Sequence, residues 1–276
     1  MKLLNVLFLA LGLPAAGWAY SAAPPFGHTG APGEQNCRAC HATFPLNSGN
    51  GAFVIEGPVE FLAGQPHTFT VRLQDPGQAR WGFQLTTQGV GTISLQEPAR
   101  TQVVTSGSGF QYLYHTSAGT NAGTPNGPVS WTFTWTAPNP SPESVTFWAA
   151  GNAANNNGLN NGDYVYTTSL ALPQAPPAPV ADLAITATET TATLSWSAVP
   201  TATGYRVERR IGFDAPWAPL AQVATPGYVD VSPGERAIYR VVAERLPASP
   251  ADGDPGGQMP GALDPPTFTR PQETNH

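Results

Sequence analysis

Cys37 and Cys40 are the only two cysteines in the 276-residue chain, and His41 stands directly behind the second, in "GEQNCRACHATFP" (33–45). Two thiols separated by two residues can each add S–H across a vinyl group of one porphyrin. The adjacent imidazole then supplies a nitrogen to the iron. The chain holds five histidines, so a given C-x-x-C gains a following His by chance only about 2% of the time. C-R-A-C-H therefore points to one covalent haem c, with Cys37 and Cys40 as thioethers and His41 as proximal ligand. Two other chemistries suit the pair. One is a C-x-x-C disulfide, redox-active or idle, although no βαβ pattern surrounds it. The other is a zinc site, which needs a fourth ligand and usually a second paired motif.

An iron used only for electron transfer takes a sixth ligand from the protein. Met1 falls in the leader described below and Met259 in the far tail, which leaves His28, His67, His115 and His276. His115 ends the aromatic run "FQYLYHT" (110–116), where Tyr112 and Tyr114 can cover a porphyrin face. It is the preferred ligand, so His41 and His115 form the expected metal pair. His28 is second, nine positions before Cys37 in a Gly-rich arm. His67 follows Pro66 at a strand start and reads as a solvated turn residue. A sixth site left to water is the remaining option. Arg38, between the cysteines, either pairs with a propionate or is simply solvated.

The elements that must hold these groups are read from periodicity. Charged residues make up only 11% of the chain, and Gly and Pro together number 59. Short strands and many turns are the expected outcome. Residues 20–52 read as an extended, turn-rich arm. From 53 to 172 the runs alternate with period two: "HTFTVRLQD", "WGFQLTTQ", "FQYLYHT", "WTFTWTAP", "SVTFWAAGNAA" and "DYVYTTSLAL". One face of each is apolar, as in a β-sandwich. Trp81, Trp131, Trp135 and Trp148 are expected in its core. "PQAPPAPVA" (173–181) reads as a Pro-rich linker. "TATLSWSAV", "GYRVERRI" and "RAIYRVVAER" follow as a second β pattern, with Trp217 expected at its surface. The fold class is all-β, and no long amphipathic helix is predicted.

The chain opens with Lys2, an apolar run from Leu3 to Leu13, Pro14 and then small residues ending at Gly17-Trp18-Ala19. That is the form of a signal peptide over 1–19, too short to span a bilayer. Export to the periplasm or the cell surface is expected, with no transmembrane segment in the mature chain. Covalent haem attachment in bacteria also follows export. The net charge of -6, with no basic run, argues against nucleic-acid partners. Residues 248–276 are rich in Pro, Gly and Asp and read as a disordered tail. "AGNAANNNGLNNGDYVY" (150–166) reads as a tight β connection, with calcium at Asp163 as the sharper alternative. No nucleophile elbow or zincin pattern occurs, so an enzyme is not expected.

"HTGAPGEQNCRACHATFPLNSG", "WGFQLT", "YLYHTSAG", "WTFTWTAP" and "VTFWAAGNAANNNGLNNGDYVYT" resemble exported bacterial domains of the choice-of-anchor V type, relatives of reelin-type (Reeler) β-sandwiches. The resemblance spans about 24–170. It implies a haem resting on the sandwich, and it matches His115 to the "HT" step of the motif. Residues 177–247 resemble a fibronectin type III domain, with Trp196, Tyr205 and Val207 in early strands and Tyr239 as the corner tyrosine. The reading is an exported monohaem c-type protein that transfers electrons to a redox partner or a neighbouring haem protein. The fibronectin-like module would make the cell-surface or matrix contact. The alternatives are a non-redox adhesion module with an oxidised C-x-x-C, and a haem sensor with an open axial site.

Overall fold

Alternation is clearest in "VSWTFTWT". Trp131, Phe133 and Trp135 are fully buried while the threonines between them face outward. Each of these aromatics removes a large apolar surface from water, which is the principal driving force for closing two sheets face to face. The structure is a computed structural model described over residues 22–246. The expected leader at 1–19, the tail at 248–276, Met259 and His276 lie outside the described residues. The chain divides into two compact units, Met1–Pro176 and Pro177–His276.

Unit 1 is a β-sandwich of nine strands: β1 (Ala52–Glu56), β2 (Pro66–Gln74), β3 (Arg80–Thr86), β4 (Thr92–Leu95), β5 (Thr101–Thr105), β6 (Gln111–His115), β7 (Val129–Thr136), β8 (Ser144–Ala154) and β9 (Tyr164–Pro173). One sheet has the order β1-β2-β7-β4 and the other β5-β6-β3-β8-β9. All pairings within them are antiparallel. Phe69, Val71, Leu73, Phe83, Leu85, Leu113 and Phe147 meet the three buried β7 aromatics between the sheets. Phe69 packs on Phe147 with ring centroids 4.4 Å apart.

β3 departs from alternation: every residue from Trp81 to Thr86 is buried. Phe83 and Leu85 belong to the core. Gly82 and Gln84 face the other way, in register with Asn152 and Ala150 of β8. That outer face is covered by residues 22–51, which contain no strand. The His28 backbone N–H donates to Gln84 Oε1 (2.8 Å), and Gln84 Nε2 donates back to the Pro25 carbonyl (2.9 Å). Glu34 accepts the hydroxyls of Tyr112 (2.7 Å) and Thr29 (2.5 Å). Phe26 stacks on Tyr112. The arm is thus a pinned layer rather than an extended strap.

Two further differences from the sequence expectation have simple causes. Trp148 is half-buried, because β8 turns Val145, Phe147 and Ala149 inward and Trp148 outward. The first linker residues belong to unit 1: β9 runs to Pro173, and Gln174 bridges Phe61.

Unit 2 pairs two three-stranded sheets. One holds β10 (Ala184–Ala187), β11 (Ala192–Ser195) and β14 (Tyr228–Asp230). The other holds β12 (Gly204–Ile211), β13 (Ala218–Val223) and β15 (Ala237–Glu244). Leu194, Trp196, Tyr205, Val207 and Val241 form its core. Tyr239 donates to the Asp230 carboxylate (2.8 Å), where a corner tyrosine would bond backbone. Trp217 is half-buried between the guanidinium groups of Arg210 and Arg240, at 4.7 and 4.6 Å, a cation–π arrangement. Among the described residues there is no α-helix, and none is long and apolar enough to cross a membrane.

Candidate functional site

Cys37, Arg38 and Ala39 form one 3-10 turn. Asn36 caps it, its Oδ1 accepting the Arg38 N–H at 2.9 Å, as a short polar side chain does at a helix start. The Cys37 carbonyl accepts from both Cys40 N (3.2 Å) and His41 N (3.0 Å). The turn brings both thiols and the imidazole to one side of the arm. Arg38 points away and donates Nε–H to the Phe44 carbonyl (2.9 Å). The loop between β8 and β9 clamps this segment: Asn160 Nδ2 donates to the Cys40 carbonyl (2.9 Å), and Gly162 N–H donates to Thr43 Oγ1 (3.0 Å).

The His41 ring has a defined orientation. Its Nδ1–H donates to Asp163 Oδ2 at 2.6 Å. Asp163 is 1% exposed, and its other oxygen accepts the Asn155 N–H (3.2 Å). A buried carboxylate is tolerated when hydrogen-bonded in this way. With Nδ1 committed, Nε2 of His41 is the free electron-pair donor. Both carboxylate oxygens of Asp163 are engaged, and Asn155 and Asn157 bond to Asn161 within their own loop.

His115 is 7% exposed. The ladder between β3 and β6 stops at Gln84–Tyr114. One step further on, the His115 ring takes over: its Nδ1 lies 3.0 Å from Phe83 N and 3.1 Å from Phe83 O. Burial pushes its pKa down to about 4; a hydrogen bond to the Phe83 backbone opposes this, while the nearby Arg80 charge adds to it. The ring is therefore neutral at pH 7, as a metal-binding imidazole must be. Cys37 is half-buried and Cys40 exposed, and both are free thiols. Desolvation, together with Cys40 nearby, pushes the Cys37 thiol up to about 12 against its backbone hydrogen bond. Thioredoxin-like C-x-x-C pairs are tuned in the opposite direction.

Cys37, Cys40, His41, His115 and His28 all line a single cleft, open to solvent, together with Trp81, Phe83, Asn152, Leu159 and Asp163. Ligand clefts are largely apolar with a few placed polar groups. Among the described residues, no three His, Cys, Asp or Glu are placed to share one metal ion. His28 stands at the edge, its Nδ1 3.1 and 3.0 Å from the carbonyls of Pro25 and Phe26. His67 is elsewhere, at the start of β2, where its Nε2 accepts the Leu62 N–H (3.1 Å). Asp163 as a partner of His41 has only a faint sequence signal: it is the sole acid in the Asn- and Gly-rich stretch 150–166.

Neither a protein-family model nor a curated protein matches the chain. Solved structures with a similar fold include the human F-spondin reeler domain, at 13% identity over 48% of this chain and 94% of that one, TM-score 0.34. The seventh ScaB type I cohesin from Pseudobacteroides cellulosolvens is similar at 12% identity, over 48% of this chain and 96% of that one, TM-score 0.33. Chicken CNTN1 FN1-FN3 domains are similar at 13% identity, over 73% of this chain and 62% of that one, TM-score 0.25. The likeness is one of β architecture alone.

Proposed function

We propose that the chain is an exported monohaem c-type protein that transfers electrons at the cell surface or in the periplasm, of the choice-of-anchor V type that its motifs resemble. The observation that carries this reading is the meeting of Cys37, Cys40, His41 and His115 around one cleft, although His115 is 74 positions from His41. Cys37 and Cys40 would hold the porphyrin through sulfur, and His41 Nε2 and His115 Nε2 would ligate the iron. A bound haem would supply a one-electron iron couple.

The chain's own residues do the rest. For His115 Nε2 to donate, Nδ1 must carry the proton and bond the Phe83 carbonyl (3.1 Å), giving up the Phe83 N–H that it accepts at 3.0 Å in the other tautomer. Trp81 and Phe83 contribute apolar surface to the wall of the cleft. The β8–β9 loop, through Asn160 and Gly162, fixes the C-R-A-C-H turn against the sheet. The partner is a redox protein or another haem protein, and unit 2 is a positioning module that contacts a surface or matrix.

The test is expression of the full chain with its leader in a host that matures c-type cytochromes. The expected product carries one haem per chain, covalently, and the pigment survives denaturation. Replacing both cysteines by Ala abolishes it. Colourless wild-type protein under these conditions overturns the proposal and leaves a non-redox adhesion module. A loaded protein with a high-spin, water-ligated iron would instead make it a sensor.

A further inference from the structure

His41 and Asp163 are 122 positions apart. Folding nonetheless places an acid at the mouth of β9, buries it to 1% exposure and sets it 2.6 Å from the proximal ring. Burying a carboxylate is costly unless its charge is used by a partner. Anchoring the arm does not require that cost. Asn160 to the Cys40 carbonyl, Gly162 to Thr43, and Asn47 N–H to the Val165 carbonyl (2.9 Å) already tie the same segment to the same strands with neutral groups. The second oxygen of Asp163 holds a backbone N–H, so no full positive charge competes with His41 for it among its hydrogen-bond partners. The Asn152 amide nitrogen also lies 3.3 Å from the same His41 nitrogen, but it is itself a donor, so the acceptor for the Nδ1 proton is Asp163.

Resting on the haem reading above, we infer that Asp163 is a positioning residue acting through His41. It holds the ring with Nε2 turned to the cleft and draws the Nδ1 proton, so that the imidazole gains anionic character. A more anionic ligand favours the ferric state. Asp163 thereby sets a low reduction potential, in addition to holding the ring.

The experiment uses the haem-loaded full chain. Asp163→Asn keeps the size and an acceptor oxygen but removes the charge. Its haem content is expected to match wild type, and its midpoint potential to shift upward. Asp163→Glu, which restores the carboxylate, returns the potential toward wild type. An Asp163→Asn protein fully loaded but with wild-type potential overturns the inference and leaves the haem reading intact. Wild-type protein that never takes up haem overturns both. Should Asp163→Asn fail to accumulate, the loaded ferrous wild type decides by NMR. A far-downfield, slowly exchanging His41 Nδ1 proton supports the bond; one exchanging freely with water overturns it.

Discussion

His115 lies against the backbone of Gly82 so closely that a Cβ there would sit 2.7 Å from its Cε1 and 3.1 Å from its Nε2. Gly82 has no unusual φ, so the requirement for glycine is spatial. The missing side chain lets the ring replace the ladder at the end of β3. Gly82→Ala forces the ring away from Phe83, since a buried neighbour cannot absorb such a contact cheaply. The expected result for haem-loaded Gly82→Ala is retention of covalent haem with loss of the low-spin spectrum. The same spectrum is expected for His115→Ala. Visible absorption and electron paramagnetic resonance on the two variants check this, and a Gly82→Ala protein with unaltered low-spin signals contradicts it.

The two thiols differ in access. Cys40 is exposed, while Cys37 is half-buried with its pKa raised to about 12. Only the thiolate alkylates, so protein made without the maturation machinery should react first at Cys40. With iodoacetamide at pH 8, Cys37 is expected to lag by at least about tenfold. Timed quenching and peptide mass spectrometry measure both rates. Equal rates would show that the turn does not shield Cys37.

How far the sequence speaks depends on how local the cause is. β7 is legible because Trp131, Phe133 and Trp135 alternate with threonines within eight residues. β3 is legible as a strand in "WGFQLTTQ", but the burial of both its faces is not, because its outer face is covered by an arm whose contacts, such as Glu34 with Tyr112, span 78 positions. β4 and β5, as "TISL" and "TQVVT", are short and carry weak apolar patterns. The C-R-A-C-H turn is readable because its chemistry is contiguous. Asp163 is not, since its only local context is an Asn-rich loop, and the β8–β9 hairpin is what delivers it to His41.

Tyr166 donates to Asp75 Oδ2 at 2.5 Å and accepts the Gly51 N–H at 3.0 Å. Asp75 is 1% exposed. Desolvation raises its pKa, and the Tyr166 hydrogen bond partly offsets the rise. Tyr166→Phe leaves the carboxylate buried without that donor, at a cost of about 1–3 kcal/mol near neutral pH. The folded-state pKa climbs further in the variant, so the native state takes up protons before the unfolded chain does. Its stability deficit should therefore shrink as pH falls through that raised pKa toward the unfolded value. Urea unfolding of wild type and Tyr166→Phe at pH 7 and pH 4 tests the sign, and a deficit that widens in acid refutes it.

Asp230 in unit 2 behaves oppositely. It is 5% exposed. Desolvation pushes its pKa up, but the Ser232 N–H (3.0 Å), the Tyr239 hydroxyl (2.8 Å) and Arg209 (2.7 Å) outweigh that and hold it below the ordinary aspartate value. A depressed folded-state pKa gives stability that is present above the unfolded value and lost as pH falls through the folded one. Unit 2 should thus weaken below about pH 4 through Asp230, while acid relieves Asp75 in unit 1. Asp230→Asn removes the charge that Arg209 and Tyr239 share, and should cost about 1.5–3 kcal/mol at pH 7. The variant should also have a flatter acid limb than wild type. Hydrogen exchange of β12 and β15 amides from pH 7 to pH 3 separates this unit from unit 1. If wild type and Asp230→Asn lose protection in parallel across that range, the carboxylate is not what ties the stability of unit 2 to pH.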